Sequence, residues 1–246
     1  MSEFTIIIPV YNEIENLFDL ENALIQYQKI ALLSTSVVFV NDGSTDGSRE
    51  ILREICNRNS DFHLLSLKQN SGLSAALKAG FDWVQTPWLG YMDSDLQTRP
   101  EDFNLLLEHI DLYDLITGIR IDRKDSFAKR AASKFANGFR RMFTRDGIHD
   151  TGCPLKVIRT DFAKKIPMFK GLHRFLPAMI LLQKGKVFQL PVRHFPRKKG
   201  KEKFGIGNRI FGPLAGCFAY VWMRKNYIHY ELEIPEISEK RKKNED

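Results

Sequence analysis

The stretch Trp88-Leu89-Gly90-Tyr91-Met92-Asp93-Ser94-Asp95-Leu96-Gln97 decides how this chain is read. Trp88 to Met92 is an apolar run of the length of a buried strand. Asp93 and Asp95 follow directly, and Pro100 blocks any further strand before Glu101 to Ile110, which reads as a helix. The two carboxylates therefore sit in a strand-to-helix loop at the carboxyl end of a strand, where open α/β sheets bind ligands. Alternate residues of an extended segment point the same way, so the two charges repel. A hard divalent cation relieves this. Loop carboxylates suit Mg²⁺ or Mn²⁺, which keep waters and also hold substrate phosphates.

Working outward, strands and helices alternate through the first 120 residues. Phe4 to Val10, Ser36 to Val40, Phe62 to Leu67 and Asp114 to Thr117 read as further strands. Asn16 to Ile30, Ser48 to Cys56 and Leu73 to about Val84 read as the helices between them. The alternation predicts an α/β fold, a mostly parallel sheet flanked by helices, with right-handed crossovers. The polar loops then share one edge and bring Tyr11, Glu13, Asp42, Asp93 and Asp95 together.

Composition agrees with one globular domain: 246 residues, 43% apolar and 27% charged. Cys56, Cys153 and Cys217 are an odd count without ligand-type spacing, as expected in a reducing compartment. Phe4 to Val10 is too short for a signal peptide, and no run reaches the roughly 18 apolar residues that span a bilayer. The formal charge of +7 calls for an anionic partner. It is concentrated: nine basic residues lie between Arg120 and Arg145, and six between Arg193 and Lys203. Nucleic acid is a poor candidate, because neither cluster carries a recognition motif and a bare acidic loop would repel its phosphates.

An acidic loop for a metal, a second acidic loop and late basic residues suit a nucleoside diphosphate, with basic side chains on its phosphate oxygens. Ile8-Pro9-Val10-Tyr11-Asn12-Glu13, Asn41-Asp42-Gly43-Ser44-Thr45-Asp46-Gly47 and Asp93-Ser94-Asp95-Leu96-Gln97 resemble the inverting GT-A glycosyltransferases of family 2. Gln97, Gly118-Ile119-Arg120, Arg197 and Lys203 narrow the resemblance to the dolichyl-phosphate mannose synthase group. Asp150-Thr151-Gly152-Cys153-Pro154-Leu155-Lys156 and His173-Arg174-Phe175-Leu176-Pro177 are similar to bacterial polyprenyl-phosphate and lipid A sugar transferases. The resemblance implies a GT-A fold and a UDP- or GDP-linked sugar as donor. Pro9, Tyr11, Glu13 and Val40 would line the nucleotide pocket, and Asp42 would read the base. Asp93, Ser94 and Asp95 would meet the sugar nucleotide. Asp93, Asp95 and Gln97 would hold the metal, and Arg120, Arg197 and Lys203 the phosphates. Asp150 is the candidate catalytic base.

The implied reaction is inverting transfer of the sugar to a polyprenyl phosphate. Transfer to a saccharide hydroxyl in cell-envelope or lipid A assembly is the alternative, and it would need the base. The expected domain is 1–232, with a nucleotide-binding half to about residue 120 and an acceptor-facing, membrane-facing half from 121. A charged, disordered tail, 233–246, follows. Ser126 to Phe143 reads as an amphipathic helix with Phe127, Phe135 and Phe139 on one side and Lys129, Arg130, Lys134, Arg140 and Arg141 on the rest. Ile210 to Lys225 reads as a second interfacial helix. Both point to a peripheral position on an anionic membrane surface, at its cytoplasmic face, without a spanning helix.

Overall fold

The computed structural model describes residues 2–121, 138–196 and 206–228, with side chains of the last segment from residue 215 onward. A seven-stranded sheet runs in the order β3-β2-β1-β4-β6-β5-β7. Its strands are β1 (Phe4–Val10), β2 (Thr35–Asn41), β3 (Phe62–Ser66), β4 (Trp88–Tyr91), β5 (Leu115–Ile121), β6 (Lys156–Arg159) and β7 (Val187–Arg193). All but β6 are parallel; β6 runs antiparallel between β4 and β5. The helices are α1 (Leu17–Gln28), α2 (Ser48–Arg58), α3 (Leu73–Trp83), α4 (Phe103–Leu107), α5 (Thr160–Lys164), α6 (Leu176–Leu182) and α7 (Ile206–Asn226).

Two hydrophobic layers cover the sheet, which is why Ile6 to Ile8 of β1 and Val37 to Val40 of β2 are apolar on both faces. Phe4, Ile6, Ile8 and Val10 of β1 point to the side of α1, α2 and α4, where Leu20, Leu24, Leu52, Ile55 and Phe103 are buried. Ile7 points the other way, with Leu77 and Phe81 of α3 and Met179 of α6. Pairing departs from chain order between β1 and β4, which opens a crevice at their carboxyl ends. The loops after β1 and β4 flank it.

The expected strands and first three helices are present, most with ends shifted by one or two residues. β5 runs on to Ile121, and β6 was not anticipated. It holds only two apolar residues, Val157 and Ile158, between Lys156 and Arg159, so periodicity alone does not announce it. It exists because β4 and β5 supply partners on both sides. The helix expected from Ser126 to Phe143 lies mostly outside the described residues; 138–144 is helical. α7 begins at Ile206 rather than Ile210.

Gly43 shows how tightly the edge loops meet. Its φ is +67°, and a Cβ there would stand 2.5 Å from backbone atoms of Gln69 and Asn70. Gly43→Ala combines a left-handed backbone, costing about 1–2 kcal/mol, with a backbone collision. We expect a loss of at least about 2 kcal/mol in denaturant titration, or about 4–8 °C in melting temperature. An unchanged midpoint would mean that the two loops separate at little cost.

Candidate active site

Every parallel strand delivers its following loop to one edge. The first two loops are locked together there. The Asn12 N–H donates to Ser44 Oγ (3.0 Å), and Asn12 Oδ1 accepts from the Thr45 N–H (2.8 Å). The Glu13 N–H donates to Ser48 Oγ (3.1 Å). Asp46 takes the Ser48 N–H at 2.9 Å and the Ile14 N–H at 3.2 Å. Burial works to raise the Asp46 pKa, but the Ser48 and Ile14 hydrogen bonds win and lower it. Asn12 adopts a positive φ of 50°, which asparagine tolerates. Most of the Asn41-to-Ser48 loop is therefore a frame for Tyr11 and Glu13. Asn41 belongs to that frame, accepting the Ser44 N–H on Oδ1 at 3.1 Å.

Asp42 is buried, and each of its oxygens accepts a backbone N–H at the start of α3, from Ser71 at 2.7 Å and Gly72 at 2.9 Å. A carboxylate has about four acceptor sites, so this anchoring leaves capacity for a base. Pro9 and Val40 are register partners at the same edge. Val40 corrects its expectation: the whole residue is buried in the core layer that holds Ile7 and Leu77, with no exposed atom at the edge.

The acidic loop is deeper than its sequence suggests. Tyr91 donates its hydroxyl to Asp93 Oδ1 at 2.8 Å. Burial raises the Asp93 pKa; the Tyr91 hydrogen bond and the charges of Lys156 and Arg120 oppose it, and Glu13 reinforces it. Glu13 and Asp93 are thus within each other's field, as the topology predicted. Ser94 is buried, and Asp95 Oδ1 closes a turn on the Gln97 N–H at 3.2 Å. Leu96 between them holds a positive φ of 55°. A non-glycine residue in that region marks stored strain, which clusters at functional sites. Gln97 pairs with Phe195: its carbonyl accepts the Phe195 N–H at 2.9 Å, and its Nε2 donates back at 3.5 Å. Arg197 and Lys203, the expected phosphate ligands, lie outside the described residues.

Lys156 was missed by the sequence reading. Because β6 is antiparallel, its first residue, not its last, lies at the ligand edge, opposite Tyr91 and Thr117. Lys156 is 1% exposed, donates to the Cys153 carbonyl and lies over the Tyr91 ring, 5.8 Å from its centroid. Burial lowers its pKa, while the fields of Asp150 and Asp93 push back. A lysine inside Leu155-Lys156-Val157-Ile158 was the available signal.

Asp150 has a different occupation from the one expected. Its carboxylate forms a bidentate pair with Arg120, Nε to Oδ2 at 2.8 Å and Nη2 to Oδ1 at 2.9 Å. It also accepts the backbone N–H of Arg120 at 3.2 Å and of Gly152 at 3.1 Å. Burial works to raise its pKa, but the Arg120 hydrogen bonds and charge overcome it and lower it. Such a carboxylate is a weak proton acceptor, and the pair holds the Arg120 guanidinium in one orientation. Gly152 permits the pair: a Cβ there would stand 2.6 Å from Arg120 Nη2.

Among the described residues, no group of three or more His, Cys, Asp or Glu side chains could cage a metal. Asp95 and Gln97, two residues apart in one loop, fit a different scheme. One carboxylate and one amide oxygen suit a hard cation whose shell is completed by water and diphosphate oxygens.

Asp150→Asn should cost about 3–5 kcal/mol at neutral pH, because it strands the Arg120 charge. The native pKa of Asp150 lies below its unfolded value. Its pairing therefore stabilises fully above about pH 4 and is lost as pH falls through the lower native value. Denaturant titrations of both proteins should accordingly converge below pH 4. A gap that stays constant with pH would show that the pair is not ionic.

Comparison with known proteins fits this architecture. An undecaprenyl-phosphate 4-deoxy-4-formamido-L-arabinose transferase from Edwardsiella ictaluri is 33% identical over 204 residues, covering 82% of this chain and 63% of that protein. A dodecaprenyl-phosphate galacturonate synthase from Rhizobium johnstonii is 29% identical over 214 residues, covering 83% and 62%. The chain thus spans less than two thirds of the length of these relatives. A glucosyl-3-phosphoglycerate synthase from Mycobacterium tuberculosis, solved with Mn²⁺, UDP and glucosyl-3-phosphoglycerate, shares the fold at a TM-score of 0.69 and 11% identity, covering 93% of this chain and 81% of that one. A mannosyltransferase from Pyrobaculum calidifontis, solved with GDP-Man and Mn²⁺, aligns at 0.65 and 16% identity, covering 89% and 63%. The family model described as "Glycosyl transferase family 2" matches residues 5–166, from the second residue of β1 to just beyond α5. With well over half of its length in that match, including six of its seven strands, the chain belongs to glycosyl transferase family 2.

Proposed function

We propose that this chain transfers a sugar from a nucleoside diphosphate sugar to a polyprenyl phosphate, with inversion, at a membrane surface. The observation that carries the choice of acceptor is the bidentate Arg120–Asp150 pair. A hydroxyl acceptor needs a base to take its proton, and Asp150, the expected base, is committed to Arg120. A phosphate acceptor is already anionic near neutral pH and needs none. The two polyprenyl-phosphate sugar transferases similar to this chain support the same acceptor.

In this reading the nucleotide-binding half ends near residue 120. Tyr11, Glu13 and Asp42 hold the nucleotide, and Asp93 meets the sugar. Asp95 and Gln97 hold Mg²⁺ or Mn²⁺, which when bound stabilises the charge developing on the diphosphate. Asp150 takes the Nε and Nη2 donors of Arg120, which fixes the plane in which the rest of the guanidinium meets phosphate. An acceptor phosphate oxygen attacks the anomeric carbon from the side opposite the diphosphate. The new carbon–oxygen bond forms as the old one breaks, and the electron pair leaves on the diphosphate. Lys156 and Arg120 oppose the burial that raises the Asp93 pKa.

The acceptor-facing half offers a surface for lipid. Phe143, in the helical segment 138–144, meets Phe218 of α7 edge-on at 5.6 Å, and Arg224 Nη1 donates to the Phe143 carbonyl at 3.3 Å. Met142, Phe218 and Trp222 stay largely exposed, with Arg141, Arg224 and Lys225 on the same two segments. Arg140 corrects the expected membrane face. It is 3% exposed, paired with Asp146 and donating to Thr144 Oγ1 and the Ile148 carbonyl, so it holds a loop and does not meet lipid. No helix among the described residues is long and apolar enough to cross a membrane. The reading places the chain peripherally on the cytoplasmic face.

Asp95→Asn should lower kcat by at least about 100-fold, on the scale of several kcal/mol of charge stabilisation, with the melting temperature within about 2 °C. Transfer from UDP- and GDP-sugars to undecaprenyl phosphate, with Mn²⁺ or Mg²⁺ and with chelator, checks this. Full activity in the variant or in chelator would remove the metal role. Product formation only on saccharide hydroxyls would favour the alternative acceptor.

A Phe218→Glu, Trp222→Glu double variant should bind anionic phospholipid vesicles at least about tenfold more weakly in co-sedimentation at any salt. Arg224→Glu with Lys225→Glu should lose binding mainly at low salt, at about 1 kcal/mol per basic residue. Equal binding by all three proteins would dismiss this surface.

A further inference from the structure

His173 and Arg174 lie in a short 3₁₀ turn, Leu172–Phe175, that leads straight into α6. The proposed chemistry uses neither. Yet His173 reaches across to the nucleotide half. Its Nδ1 lies 2.9 Å from Ser74 Oγ, in the first turn of α3. Ser74 Oγ also accepts the Gly171 N–H at 3.0 Å. A hydroxyl has one proton to give. It also has two acceptor lone pairs, so Ser74 Oγ can hold the Gly171 N–H and still meet Nδ1 as donor or acceptor, according to the tautomer of the ring. Burial, reinforced by the charges of Arg174 and Lys156, holds the imidazole neutral by lowering its pKa to about 3.

The same first turn of α3 is gripped from the other side by Asp42, through the amides of Ser71 and Gly72. Beyond the 3₁₀ turn the path continues. Phe175 stacks on Tyr220 of α7 at 6.2 Å, and Gly216 leaves space for its ring, since a Cβ there would stand 2.7 Å from it. Asp42, the start of α3, the Ser74–His173 bond, the 3₁₀ turn and α7 are therefore in unbroken contact. Each link is a hydrogen bond or a packed ring, and both ends face partners in the proposed reaction.

We propose that Ser74 and His173 are positioning residues, and that their hydrogen bond makes the acceptor-facing half respond to an occupied nucleotide pocket. A nucleotide that steadies Asp42 steadies the first turn of α3, and through Ser74 and His173 the turn that carries α7. The proposal rests on Asp42 facing the nucleotide, as argued above. A merely architectural bond would contribute stability but would not relay nucleotide binding.

Amide hydrogen exchange on the full chain, with and without UDP or GDP and Mn²⁺, separates these cases, because exchange reports local opening. In the wild type, nucleotide should slow exchange across Gly171 to Phe175 by about fivefold or more, within the usual range of coupling between sites. In Ser74→Ala and His173→Leu the slowing should fall below about twofold, with nucleotide affinity within about threefold of wild type. His173→Asn, whose amide can either accept from or donate to Ser74 Oγ, should restore it. If His173→Leu fails to fold, Ser74→Ala carries the test. Nucleotide binding without protection in the wild type, or protection that persists in Ser74→Ala, overturns the relay alone. Failure of the wild type to bind either nucleotide overturns the proposed function and the relay with it.

Discussion

A small set of charges at the carboxyl edge of the sheet holds the site in place. Asp93 and Asp150 face Lys156 and Arg120, two acids against two bases, with the Tyr91 hydroxyl on Asp93. Burying any one of these charges alone is costly, because a protein interior replaces little of the hydration it removes. Arg120 and Asp150 pair directly, Tyr91 donates to Asp93 and Lys156 to the Cys153 carbonyl, and each is placed by a different element. Asp93 follows β4, Arg120 is the last residue but one of β5, Lys156 begins β6, and Asp150 lies in the loop before it. The pairing of β6 between β4 and β5 therefore serves the charges as much as the sheet. Had β6 run parallel, Arg159 would have stood at the ligand edge and Lys156 at the opposite one.

Rigid loops around these charges give the site its shape. The loops after β1 and β2 are tied by side chains of Asn12, Ser44, Asp46 and Ser48 to backbone groups of the neighbouring loop. Positive φ angles at Asn12 and Leu96 are held by those ties and by the Asp95 turn. Such preorganisation suits a reaction in which charge develops on a leaving diphosphate, since donors and charges already in position need not reorganise as it develops.

The part of the chain after β5 follows a different logic. Its described helices bury Cys217 and Tyr220 against the sheet layer while leaving Phe218 and Trp222 outward. Aromatic side chains beside Arg224 and Lys225 suit an interface between water and lipid better than bulk water. With the proposed lipid-anchored acceptor, such a surface would receive the head group at a fixed height.

Local pattern was enough for the α/β alternation, the shared loop edge and the acidic loop, because apolar periodicity and turn residues act over a few positions. The motifs Pro9 to Glu13, Asn41 to Gly47 and Asp93 to Gln97 were legible for the same reason, and they carried the family. The sequence could not show β6, whose pairing comes from distant neighbours, nor that this strand turns Lys156 into the site. It offered Arg140 as a surface charge, where packing encloses it against Asp146. It offered Asp150 as a base, whereas Arg120, thirty residues earlier, occupies its carboxylate. A residue's chemistry at such a site depends on which distant group is brought against it, and chain folding alone decides that.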